Sequence, residues 1–447
     1  MNELFASPPR SVVLTGGLPL VVVPRPGPRV LAARLVMRGG SGADPPHGRG
    51  AHQLLAGLMT RGCGELDAEG LADLVEGAGA ALRSEASEDA LTVALHCGAE
   101  DAERLVPLLL AMVRQPTLEP DQLELERQLN LQTLQRQRED PFQLAYDQLR
   151  RLLFNDGPYG HDPLGVEADL EGLERSRLLP LLADLGTRGA VLTLCGDAPA
   201  GVEELLAGSL AAMPWTVGAP IPGEASASPP RSERLAVLEE DTEQLVILLG
   251  APTVPWGHPD ALALRLLQAH LGSGMSCRLF QTLREARGLA YDVGVHLPAR
   301  CGPSPFVVHL STSAERAEEA TTCLLEEWQA PLEEAISAEA LALALAKYRG
   351  QDAMGRQTCS QLAERLALVL SHGLPVDQLE LQLERAARVT PEDLHAAAAR
   401  WLRTPSLSLV GPAAALETAG AAWSRHPLSA PTQSPAPAPA PESPSRG

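Results

Sequence analysis

The sequence predicts an α+β fold of two duplicated domains, each a mostly antiparallel sheet covered by helices. Three observations predict it. Strand-like runs come in adjacent pairs, each pair followed by runs of helical periodicity. The same order of elements occurs twice, in units of about 200 residues, which points to an internal duplication. Between the units lies "VGAPIPGEASASPPR" (217–231), whose prolines and small residues read as a partly extended linker.

In the first unit, "LPLVVVPRP" (18–26) and "RVLAARLVMRGG" (29–40) are apolar and β-branched, and predict strands. A helix over 50–60 follows, with Leu54, Leu55, Leu58 and Met59 as its buried stripe, then a helix over 67–79. Strands over 80–86 and 90–98 lead into helices over 100–114, 119–138, 141–154 and 170–184. A strand over 189–197 and a helix from 199 close the unit. The second unit repeats the order with strands over 234–240 and 243–252, helices over 258–271 and 276–286, and strands over 289–297 and 305–312. Helices near 314–328, 337–351, 357–371, 376–386 and 390–402 and a strand over 406–411 complete it. The boundaries are therefore 1–216, a linker 217–231, 232–425, and a Pro/Ala/Ser tail over 426–447 whose composition predicts disorder.

A chain of 447 residues exceeds one ordinary core, in keeping with two domains. The net charge of -20 excludes a general nucleic-acid binder, which needs a basic footprint. Lys347 is the only lysine, a bias in composition rather than a physical demand of the surface. Seven scattered cysteines with no C-x-x-C pair make neither a disulfide framework nor a zinc ribbon, and fit a reducing compartment. The N-terminus lacks the pattern of a secretory signal, and no apolar run reaches about 18 residues, so a cytoplasmic location without membrane insertion is expected.

The helix over 50–60 raises the question of metal binding. A zinc helix places ligands and an activating carboxylate on one face, at offsets 0, 3 and 4. Here those positions hold Gln53, Ala56 and Gly57: a poor ligand and two residues with no side chain that could bind. His52 lies one position out of phase, about 100° round the helix, and reads as structural or surface-exposed. His47, His161, His270 and His296 are isolated in the sequence. "LGSGMS" (271–276) lacks the G-x-x-x-x-G-K-[ST] pattern and has no lysine, which argues against a phosphate loop.

"GRGAHQLLAGLMTRG" (48–62), followed by "DAEGLADLVEGAGAALRSEASEDALTVAL", resembles the start of the pitrilysin-like inverzincin metallopeptidases, the family that includes mitochondrial processing peptidase. Anchoring on Gly50, Leu58, Met59 and Gly62 puts the family's first histidine at Gln53, its glutamate at Ala56 and its second histidine at Gly57. H-x-x-E-H is therefore absent. The resemblance places the further glutamate ligand within 126–141, around Leu131–Thr133, with Glu126 out of register. "LFNDGPYGHDPLGVEADLEGL" (153–173) is similar to the family's F-x-x-H-P-Y-x-x-P-x-x-G segment, and "LGSGMSCRLFQTLREARGLAYDVGVHL" (271–297) to L-G-G-G-M-S-S-R-L-F-Q-x-x-R-E-x-R-G-L-A-Y-x-V. The likeness spans about residues 10–412.

In the last segment Arg284 ends a helix and Tyr291 begins a strand, with Gly288 allowing the turn. Together they can donate hydrogen bonds to one substrate carbonyl or oxyanion. Equally, Arg284 can pair with Glu285 or Asp292 while Tyr291 merely packs; the resemblance favours the first role. It also implies two domains forming half of a clamshell chamber, no metal or other cofactor in this chain, and zinc in a homologous partner subunit that bears H-x-x-E-H. The chain is then expected to be a non-catalytic, substrate-binding subunit of a heterodimeric zinc peptidase acting on extended peptides. A peptide-binding or assembly scaffold without proteolysis, and a metallopeptidase with atypical ligands, are the alternatives.

Overall fold

A computed structural model describes residues 8–27, 29–218 and 231–430. The first unit carries β1 (Arg10–Val13), β2 (Pro19–Pro24), β3 (Val30–Arg38), β4 (Ala81–Ala86), β5 (Ala90–Gly98) and β6 (Ala190–Gly196), in the sheet order β1-β2-β6-β3-β5-β4. The second carries β7 (Leu235–Glu239), β8 (Gln244–Pro252), β9 (Asp292–His296), β10 (Pro305–Ser313) and β11 (Ser406–Gly411), in the order β7-β11-β8-β10-β9. Apart from the added β1 the two orders are the same. In each, one parallel pair, β2 with β6 and β7 with β11, interrupts an otherwise antiparallel sheet. The expected α+β duplication is thus present, strand for strand.

The first unit's helices are α1 (Ala51–Met59), α2 (Ala68–Glu76), α3 (Ala102–Arg114), α4 (Pro120–Gln137), α5 (Pro141–Phe154), α6 (Glu167–Leu170), α7 (Arg175–Asp184) and α8 (Val202–Ala212). Those of the second are α9 (Ala261–Gly272), α10 (Ala317–Glu333), α11 (Ala338–Met354), α12 (Cys359–Ser371), α13 (Gln378–Ala386), α14 (Pro391–Trp401) and α15 (Ala413–Arg425). Neither β1 nor α15 is foreseen from the sequence. β1 is four exposed residues without a buried face, and α15 is an alanine-rich stretch whose stripe is small except for Leu416 and Trp423. The helix expected over 170–184 starts only at Arg175, after the four-residue α6. The second half of the helix expected over 276–286 is a π-helical turn, Phe280–Ala286.

Strand burial tells which faces are covered. β3 is buried from Leu31 through Met37, on both faces, as a central strand between two helical layers must be. One layer is the unit's own: α1 and α3 share one core with Leu31, Ala33, Leu35 and Met37. The other comes from the opposite unit. Leu362, Ala363 and Leu366 of α12 pack on Val21, Val23, Ala32 and Cys195, and the buried Thr193 hydroxyl donates to the Ala363 carbonyl at 2.9 Å. Reciprocally, Ala145, Leu149 and Leu153 of α5 cover Val246, Leu248, Val307 and Val410 of the second sheet. Each half lends a helix to the other's sheet. At roughly 1.5–3 kcal/mol per buried leucine side chain, the two helices make the halves interdependent. β5, by contrast, alternates buried and half-buried, and β4 exposed and half-buried. Their second face is not sealed by a helix, and β4 is the sheet edge.

Most of the linker, 219–230, lies outside the described residues, as does 431–447 of the tail. The described ends of both segments belong to the packed units. Val217 accepts from the Arg188 amide, and the Arg231 amide donates to Leu152. Residues 426–430, grouped with the tail by composition, instead form a turn with Leu428 buried. Arg234 donates to the carbonyls of Leu428, Ser429 and Ala430, a tie between distant segments that composition cannot reveal.

Candidate functional site

Helix α1 begins at Gly50, whose φ of 101° suits glycine, and its free N–H groups need an acceptor. Asp44 supplies it: one carboxylate oxygen accepts from the Gly50 amide at 2.6 Å, the other from the His52 amide at 3.0 Å. His52 Nδ1 lies 2.7 Å from Asp44 and His161 Nε2 3.7 Å away on the other oxygen. Burial opposes the charge on Asp44, yet the nearby His161 ring and the hydrogen bonds of His52 and Gly50 hold its carboxyl below the ordinary value. His52 is therefore a buried structural histidine that braces the start of the helix.

The three positions of the vacated zinc motif are each put to another use. Gln53 Oε1 accepts from the Ala86 amide at 3.1 Å and ties α1 to the end of the edge strand β4. Ala56 is fully buried in the core. Gly57 faces α4, where a Cβ would overlap the carboxylate of Glu126. Glu126 is itself buried and accepts from Arg61 at 2.6 Å. So the glutamate that reaches the motif is Glu126, not a residue around Leu131–Thr133: Leu131 packs on the core and the Thr133 hydroxyl bonds Leu129. The guanidinium of Arg61 stands as the counter-charge to Glu126. An amide already engaged, a methyl, a bare Cα and a carboxylate already paired do not make a zinc site.

Arg284 lies in the π-helical turn and Tyr291 just before β9, whose partner β10 anchors it through the Tyr291 amide donating to Ser311 O at 2.9 Å. Arg284 Nη1 donates to the Tyr291 carbonyl at 3.0 Å, and its guanidinium sits 5.1 Å from the Phe280 ring centroid. The structure brings the pair together. Among the described residues Arg284 makes no ion pair with Glu285 or Asp292; Asp292 faces His309 at 3.2 Å instead. Tyr291 does not pack inward: it is 60% exposed, and nearby Met275 is 74% exposed. Tyr291 and the Arg284 guanidinium are thus exposed, and the one contact between the two residues runs to the Tyr291 backbone carbonyl rather than to its phenol. Sequence reasoning missed Asp44 and Arg61, and set Glu126 aside as out of register. Only the acidic residue in the right helix was visible, and its partners are set by how α4 crosses α1.

Residues 21–165 match the family described as insulinase (peptidase family M16), and residues 188–348 match the peptidase M16 inactive domain. The chain is 23% identical over 413 residues to an uncharacterized zinc protease of Streptomyces coelicolor, covering 90% of this chain and 89% of the relative. It is 26% identical over 262 residues to a non-peptidase homologue of Helicobacter pylori, covering 58% of this chain and 60% of that protein. The solved structure of a peptidase M16 inactive domain from Pseudomonas fluorescens is similar with a TM-score of 0.83 at 22% identity, over 91% of this chain and 98% of that one.

Proposed function

The chain belongs to peptidase family M16, and we propose that within it this chain is the non-catalytic, substrate-binding subunit of a heterodimeric zinc peptidase. The observation that carries the reading is an asymmetry. The zinc positions are filled by Gln53, Ala56 and Gly57 and closed off by the Arg61–Glu126 pair. Arg284 and Tyr291 are exposed and joined by a hydrogen bond from the guanidinium to the Tyr291 carbonyl. A partner bearing H-x-x-E-H supplies zinc and the water-activating glutamate; this chain supplies Arg284 and Tyr291 to hold a peptide carbonyl in the partner's site. The open edge of β4 suits an extended peptide added as a further strand.

The relative named a non-peptidase homologue favours a second reading, a peptide-binding or assembly scaffold without proteolysis. Co-purification from the source organism, then a peptide-cleavage assay of this chain, its partner and the pair, separates the two. Cleavage by the pair alone supports the subunit role. Equal cleavage by the partner without this chain overturns it.

A further inference from the structure

We propose that Asp89, Cys301 and His372 form a binding site for one zinc ion that joins the two halves of the chain. The three residues are far apart in sequence. Asp89 lies in the turn between β4 and β5, Cys301 in the loop between β9 and β10, and His372 at the end of α12. Packing α12 onto the first sheet brings one ligand atom of each within 4.8 Å of the others. Tetrahedral zinc, with bonds of roughly 2.0–2.3 Å, needs ligand atoms about 3.3–3.8 Å apart. A closure of about an ångström completes that geometry, within reach of side-chain rotation.

The surroundings prepare each ligand. His372 Nδ1 lies 2.8 Å from the Leu368 carbonyl, which can only accept, so Nδ1 carries the proton and Nε2 the lone pair. That Nε2 is buried and has no hydrogen-bond partner. Burial lowers the imidazole's pKa, keeping the ring neutral and able to bind metal. The arrangement is the one in which a metal-bound histidine is oriented through its other nitrogen. Asp89 accepts from the Tyr159 hydroxyl at 2.6 Å on one oxygen and from the Cys301 amide at 2.8 Å on the other. Each oxygen keeps a lone pair for a cation. Tyr159 in turn accepts from the Gly302 amide at 2.9 Å, so the loop that presents Cys301 is clamped to the ligand opposite. The Trp256 ring meets the His372 ring edge-on with centroids 5.2 Å apart and fixes its plane.

The donor set chooses the ion. Thiolate, imidazole and carboxylate together suit zinc, whereas calcium and magnesium prefer oxygen alone. Burial, with Asp89 nearby, pushes the Cys301 thiol up to about 12, so binding must displace its proton, and the Arg38 guanidinium beside it eases that loss. The site opens on a cavity of about 400 Å³ bounded by the unsealed face of β4 and β5, which leaves room for a water as fourth ligand. It shares no residue with the vacated motif and is independent of the subunit role.

The test uses the full chain, stripped with chelator and titrated with Zn²⁺ and with Co²⁺ as a spectroscopic probe. One equivalent should bind, with a thiolate-to-cobalt charge-transfer band. Cys301→Ser should abolish the band, His372→Ala should weaken binding more than tenfold, and Tyr159→Phe, one step removed, by about 10–100-fold. Thermal melting of the metal-free variants checks that they fold, and Cys301→Ser, a single-atom change, keeps the test valid if His372→Ala does not. Glu126→Gln, at the vacated motif, should leave stoichiometry at one. No stoichiometric binding by the native chain, binding unchanged in Cys301→Ser and His372→Ala, or binding lost in Glu126→Gln instead would each overturn the proposal.

Discussion

Helix α1 and the Arg284–Tyr291 turn are the two regions where the sequence looks catalytic, and the chain has treated them in opposite ways. At α1 the polar groups at and beside the old metal position have partners: Gln53 the Ala86 amide, Glu126 Arg61, and His52, on the neighbouring face, Asp44. At the turn, Tyr291 stands 60% exposed, and among the described residues Arg284 spends one donor on the Tyr291 carbonyl. A region that has lost its ligand closes inward and becomes part of the core. The Arg284–Tyr291 turn keeps its polar groups in solvent, where they contribute little to folding. The difference teaches that the polar groups of α1 now serve stability, and that those of the turn are left free for the proposed role.

The comparison can be broken by measuring stability region by region, with chemical denaturation as the readout. The largest effect is expected at Asp44→Ala, about 3 kcal/mol, because two helix amides and His52 lose a charged acceptor. Its pH dependence has a definite sign. Asp44 is held below its ordinary value near 3.8, so its contribution is present above that pH and lost as pH falls through the lowered value. The gap between native chain and variant should narrow below about pH 4. Next comes Arg61→Ala, about 2 kcal/mol, since it strands the buried Glu126 carboxylate. Adding Glu126→Gln should recover part of that loss, and strict additivity of the two changes would contradict the pairing. Gly57→Ala should cost about 1–2 kcal/mol by pressing a methyl on Glu126. Smallest of all, Arg284→Ala and Tyr291→Phe should lie within about 0.5 kcal/mol of the native chain. A cost at the turn as large as that at α1 would erase the contrast.

Much of this was legible in the sequence. Strand and helix order follows from apolar periodicity, and the family resemblance, anchored on Gly50, Leu58, Met59 and Gly62, places the vacated motif at Gln53, Ala56 and Gly57 without coordinates. Glu126 was not legible. Residues 126 and 133 are seven apart, so both lie on one stripe of α4, about two turns and 10.5 Å from each other. Spacing cannot choose between them; only the point where α4 crosses α1 can. The same holds for the exchange of α5 and α12, whose apolar stripes show that they are buried but not against which sheet. It holds for Asp89, Cys301 and His372 too, which share no local pattern because each comes from a different element.

The central claim is that this chain contributes substrate-binding groups to a peptidase zinc site that its partner supplies. The most direct measurement is the kcat and KM of the reconstituted pair with Arg284→Ala in this chain. A fall in kcat of about 10²–10³, the usual cost of one lost donor to a developing oxyanion, with folding intact, is the predicted result. An unchanged kcat, or cleavage by this chain in the absence of its partner, would contradict it.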